Sequence, residues 1–176
     1  MQRNAATVVA LVGAVPEALR TVLGTHTTYV LGDEDPLTAV ADAWVRRFDE
    51  AGPVGELEVA VTTTVARWRA GTVELPDYYL VTGVGDLTPT RRHWYFGVLH
   101  DAAPRRVVPV DPDARRVLGA LEALPPGPWW PPLDRLLSGI EHRVPDVVVP
   151  GDGSPDTGGP GDTGVSGGPS LLAPGP

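Results

Sequence analysis

Gly55-Glu56-Leu57-Glu58-Val59-Ala60-Val61-Thr62-Thr63-Thr64-Val65 is the stretch on which the reading of the fold turns. Leu57, Val59, Val61, Thr63 and Val65 alternate with Glu56, Glu58, Thr62 and Thr64. A period of two with β-branched residues predicts a strand that has one dry and one wet face. Sheets with a wet face are usually antiparallel. Downstream, Tyr78–Thr82 and Arg92–Leu99 read as two further strands, joined by Gly83-Val84-Gly85-Asp86-Leu87-Thr88-Pro89. Arg106–Val110 follows the Asp101-Ala102-Ala103-Pro104 turn and reads as the return strand of a hairpin.

Upstream of Gly55 the pattern is strand, helix, strand, helix. Thr7–Val12 is a β-branched run ended by Gly13, and Pro16 to Gly24 carries a helical stripe. A strand is expected at His26–Leu31. Asp35 then caps, and Pro36 begins, a helix to Glu50 with Leu37, Val40, Ala41, Trp44, Val45 and Phe48 on one face. After the sheet, Asp111-Pro112 repeats the Asp-Pro cap ahead of Ala114, Val117, Leu118 and Leu121, and a last helix spans roughly Leu133–His142. Val147-Val148-Val149 suits a terminal strand. The expected fold is therefore α+β: two N-terminal βα units, then an antiparallel β-meander packed against helices. It forms a single domain over 1–149, and 150–176 is a disordered Gly/Pro-rich acidic tail.

Composition narrows the chemistry. The chain has 176 residues, no Cys, 14 basic residues that are all Arg, and a net charge of −8. Without Cys there is no disulfide, zinc ribbon or thiol nucleophile, and without Lys there is no P-loop lysine or Schiff base. The acidic balance disfavours a general nucleic-acid surface, which needs clustered cations to neutralise phosphates. No run approaches the ~20 apolar residues of a membrane helix. The expected location is the cytoplasm, and the Ala5–Val15 run reads better as a strand than as a cleaved signal. The Arg-only, Ala/Gly/Pro/Val-rich composition points to a bacterial source.

No metal site, cofactor or catalytic residue is expected. His26, His93, His100 and His142 lie in no metal-ligand spacing. His26-Thr27-Thr28 supplies one half of a two-histidine phosphoesterase pattern and no second half follows. His100-Asp101 reads as turn chemistry. The Gly83–Pro89 loop does not suit a phosphate cradle, since a strand is expected after it. Two segments stand out instead. Arg91, Arg92, His93, Trp94 and Tyr95 set cations beside aromatics on one strand, and Trp129 and Trp130 stand on a link stiffened by Pro125, Pro126, Pro128, Pro131 and Pro132. Rigid Trp, Tyr and Arg side chains are the residues that anchor interfaces. The expected function is a non-enzymatic protein-interaction or accessory module of a bacterial multi-protein system, its partner another protein of that system. The alternatives are a small phosphate-handling hydrolase or transferase using histidine acid–base chemistry, and a ligand-sensing regulatory domain.

Overall fold

The computed structural model describes residues 7–13, 29–32, 35–50 and 52–145. Its centre is a four-stranded sheet of order β2-β1-β3-β4: β1 is Thr7–Val12, β2 Tyr29–Gly32, β3 Tyr78–Thr82 and β4 Val107–Val110. All three pairings are parallel, with Val9 opposite Leu31 and Tyr78, and Leu80 opposite Val108. The antiparallel meander is thus overturned. A parallel neighbour needs a crossover, and helices supply it. β1 and β3 are dry on both faces, as the unbroken runs Val9-Ala10-Leu11 and Tyr79-Leu80-Val81 require.

The error begins at Glu56. Residues Glu56–Arg69 form a helix, α2, which follows α1 (Thr38–Asp49). Its inner positions are Leu57, Ala60, Val61, Thr64, Val65 and Trp68, the spacing of one helical face. The alternation of Leu57, Val59 and Val61 is real in the sequence, but the packing of Leu57 and Trp68 into the larger core outweighs the modest helix penalty of Val and Thr. Glu56 and Glu58 in the first turn and Arg67 and Arg69 in the last complement the helix dipole.

The second correction lies between β3 and β4. Arg92–Leu99 is not a strand: α3 (Pro89–His93) runs into a π-helical segment, Trp94–Leu99, and closes with α4 (His100–Ala102). Thr88 caps this helix by accepting the Arg91 N–H, and Pro89 occupies its first turn. The wide π turn, with the His100 N–H reaching back to the Tyr95 carbonyl, buries Trp94, Tyr95, Val98 and Leu99 together. Gly97 is required where the His93 ring crosses it, since a Cβ there would lie 2.6 Å from the imidazole. The Asp101–Pro104 hairpin turn is consequently the end of a helix leading into a parallel strand.

The helices cover both sheet faces. Ala10, Val12, Tyr79, Val81 and Val107 meet α1, α2, the π segment and α6 (Leu133–Leu136) in the larger core. Val9, Leu11 and Leu80 meet Val117 and Leu121 of α5 (Ala114–Glu122) on the other face. The expected inner face of α1 is found, with Leu37, Val40, Ala41 and Trp44 buried. The cap of α5 is Asp113, which accepts from the Arg115 and Arg116 N–H groups, and not Asp111. The expected last helix breaks at Gly139, in the left-handed region at φ 69°, although Leu133, Leu136, Leu137 and Ile140 are all buried. The helix at Pro16–Gly24, the strand at Val147–Val149 and the tail at 150–176 lie outside the described residues, as does His26. Among the described residues no helix is long and apolar enough to cross a membrane.

Candidate functional site

The link from α5 to α6 rounds the amino edge of the sheet and separates its two indoles. Trp130 enters the larger core, 4% exposed, donating its N–H to the Pro76 carbonyl at 2.7 Å and meeting the Tyr79 ring edge-on at 5.7 Å. Trp129 stays outside at 37% exposure. One side of it is covered by the guanidinium of Arg106, 4.3 Å from the ring centroid.

Arg106 organises this edge. It immediately precedes β4 and is 7% exposed. Its Nε donates to the Pro128 carbonyl at 2.6 Å, its terminal nitrogens to the carbonyls of Gly127 at 3.0 Å and Asp77 at 2.8 Å, and it also lies 5.1 Å from the Tyr78 ring centroid. The planar fork suits three diverging carbonyls and two aromatic faces, which an ammonium would not. Arg105 adds a bond to the Pro126 carbonyl at 3.0 Å, and Tyr78 one to the Pro125 carbonyl at 3.0 Å. The link's prolines lack N–H groups, so the stretch Pro125–Pro128 offers mainly carbonyls, and these side chains take them up. Trp129 is held on a backbone fixed at four consecutive carbonyl positions between Pro125 and Pro128.

The aromatic-basic segment has a different fate. Being helical, it does not split into the two faces of a strand. Trp94 and Tyr95 are buried, Arg91 and His93 half-buried, and Arg92 alone of the five is exposed. Arg91 pairs with Asp42 of α1, Thr90 donates to Asp49, and His93 stacks on Trp44 with centroids 6.0 Å apart and planes 11° off parallel. Arg92 reaches the Leu87 carbonyl at 3.4 Å. The segment is a clamp between α3 and α1, and Trp94 and Tyr95 are withdrawn from any contact surface. The two predicted segments are joined inside the molecule by the ring series Trp130, Tyr79 and Tyr95.

Beside that series lies Asp35. Its carboxylate accepts from the Leu37 N–H at 2.8 Å, the Tyr79 hydroxyl at 2.9 Å and the Tyr95 hydroxyl at 3.1 Å. Burial raises its pKa above the ordinary carboxylate value, against the opposing pull of these donors and of Arg91. Burial and the neighbouring carboxylate raise both phenols well above theirs. Neither phenol loses a proton near neutrality, so both remain donors and the carboxylate is their acceptor. The sequence identified Asp35 only as a cap, and Arg106 only as the first residue of a strand.

An open cleft of about 450 Å³ lies at the carboxyl ends of β3 and β4, between Gly83–Asp86 and Pro109–Pro112. Ligands of parallel sheets often sit at such ends. A helix does follow this loop, contrary to the strand expected, but the charged side chains lining the cleft are Asp86 and Asp111, which repel an anion. His100-Asp101 lies in a helical turn, and among the described residues no three His, Asp or Glu side chains are placed to hold a metal ion. The fold and this edge define a layered α/β protein with a braced tryptophan at the amino end of its sheet. Comparison with protein-family models, characterised proteins and solved structures finds no match to the chain.

Proposed function

We propose that the chain is a non-enzymatic protein-interaction module of a bacterial, cytoplasmic multi-protein system, and that its contact surface is centred on Trp129. The observation that carries this reading is the bracing of an exposed indole by a buried arginine and by a proline-rich backbone. A ring already fixed in place loses little conformational entropy on docking, and such aromatic anchors contribute a large share of interface energy. Other polar side chains support the same reading, since Asp35, Arg91 and Asp49 each fasten one element to another. The net charge of −8 favours a protein partner over nucleic acid.

The test is affinity capture from the native host with the wild-type chain, Trp129→Ala, and Val144→Ala as a control at another exposed apolar residue. The expected result is a protein retained by wild type and by Val144→Ala, and weakened by Trp129→Ala by about 30-fold, the equivalent of ~2 kcal/mol. Equal capture by all three chains would refute the assignment.

A further inference from the structure

We infer that α2 is a self-association surface, on which a second copy of this chain packs antiparallel about a two-fold axis. The outer side of α2 bears Val59, Thr62, Thr63, Ala66 and Ala70, all exposed, and Val59 is 66% exposed. Between Glu58 and Arg67 the helix shows solvent no charged side chain, and Val54, on the turn that opens it, is fully exposed. A surface helix ordinarily carries its charges there.

The occupant follows from the placement of the charges. At about 100° and 1.5 Å per residue, Glu58 and Arg69 lie about 20° apart around the axis and about 16 Å apart along it. They are therefore on the same edge of the exposed face, one at each end. A two-fold axis through the Thr63–Thr64 level keeps that edge on the same side and reverses its direction. It sets each Glu58 opposite Arg69 of the other copy, and it seats each Val59 between Ala66 and Ala70 of the facing helix. Residue i meets j and j meets i, the self-complementarity that a closed dimer requires. Among the described residues Glu58 makes no ion pair. Arg69 bonds Asp134 at 3.1 Å through one terminal nitrogen and is 64% exposed, which leaves donors turned outward. Arg67, on the opposite edge, would sit about 10 Å along the axis from its own copy, where physiological salt screens most of the repulsion. One helix pair buries less than a standard interface, so the dimer is expected to be weak and reversible.

The test is sedimentation equilibrium of the full chain from roughly micromolar to millimolar concentration, the range suited to a small interface. Wild type should show a monomer–dimer equilibrium. Val59→Glu, Glu58→Arg and Arg69→Glu should each be monomeric, and an equimolar mixture of Glu58→Arg with Arg69→Glu should recover the dimer, because the swapped charges then attract at both ends. Recovery also shows that both variants are folded. Trp129→Ala should dimerise like wild type, which separates this inference from the proposed function. A wild type that stays monomeric throughout, a dimer indifferent to Val59→Glu, or a mixture that fails to associate would each overturn it.

Discussion

Arg106 and Asp35 are both largely buried ionic groups, yet their surroundings differ in kind. Arg106 is met by backbone carbonyls and ring faces at the amino edge of the sheet, and most of those carbonyls belong to the 125–132 link. Asp35 is met by two phenols from β3 and the π segment and by an N–H at the start of its own helix. A guanidinium with five donors can hold a proline-rich backbone in place by its carbonyls, whereas a carboxylate can only collect donors that other elements present. The cation thus shapes a piece of surface, while the anion joins the start of α1, β3 and the π segment in the interior. Loss of Arg106 should release Trp129, and loss of Asp35 should loosen the core while leaving that corner in place.

The largest effect is expected at the cation. Arg106→Met should destabilise the fold by about 4 kcal/mol, since three part-buried carbonyls and two aromatic faces lose a charged partner at once. It should also red-shift the tryptophan emission relative to wild type, as the released Trp129 meets water, and abolish partner capture. Arg106→Lys should regain less than half of the stability, and a full recovery would show that charge alone suffices. Next comes Asp35→Ala, at about 3 kcal/mol by chemical denaturation, because two phenols and one N–H lose their acceptor. Its capture of partner should equal that of wild type; a loss would mean that the two regions are coupled.

Asp35→Asn sharpens the contrast through pH. Burial raises the folded-state pKa of Asp35 above 3.8, so the native carboxyl holds its proton more tightly than the unfolded one. The stability this gives is fully present below the ordinary value and is lost as pH rises through the raised one. The denaturation midpoint of wild type minus that of Asp35→Asn should therefore fall as pH increases from about 4, then level off. A flat difference would show no burial penalty. The smallest effect is Trp129→Ala, at about 1 kcal/mol, the scale of an exposed cation–π contact such as the one with Arg106. A cost of several kcal/mol would make Trp129 a core residue.

Much of this architecture is legible in the chain. β1, β3 and β4, and the inner faces of α1 and α5, follow from β-branched runs and from 3.6-residue spacing. The two misread segments fail for the same reason. Val59, Val61 and the three threonines favour a strand locally, as does Trp94-Tyr95-Phe96-Gly97-Val98-Leu99, and only tertiary burial decides otherwise. The chain nonetheless carries the helix signals: acidic Glu56 and Glu58 with basic Arg67 and Arg69, and Thr88-Pro89, a cap followed by a first-turn proline. Taken as strands, those two segments leave no crossovers, and the wet face implied by the alternation at 55–65 then points to antiparallel pairing. The candidate site is half legible. Trp129 and Trp130 announce themselves beside prolines, but the bracing of Trp129 by Arg106 depends on residues 21 and 22 positions apart meeting across the sheet edge, and no local pattern encodes that.

The strand order also sets a timetable for the newborn chain. Of the four described strands β1 is made first, and it sits in the interior of the sheet; its neighbour on one side is β3, with Val8 and Asp77 bonded across 69 residues. Until translation has passed Thr82, the apolar run Val8-Val9-Ala10-Leu11-Val12 has no partner there, and a contact so distant in sequence forms slowly. That window, during which an exposed sticky strand waits for its mate, makes the segment between Thr7 and Thr82 the one for which a ribosome-bound chaperone or slow-decoded codons would matter most.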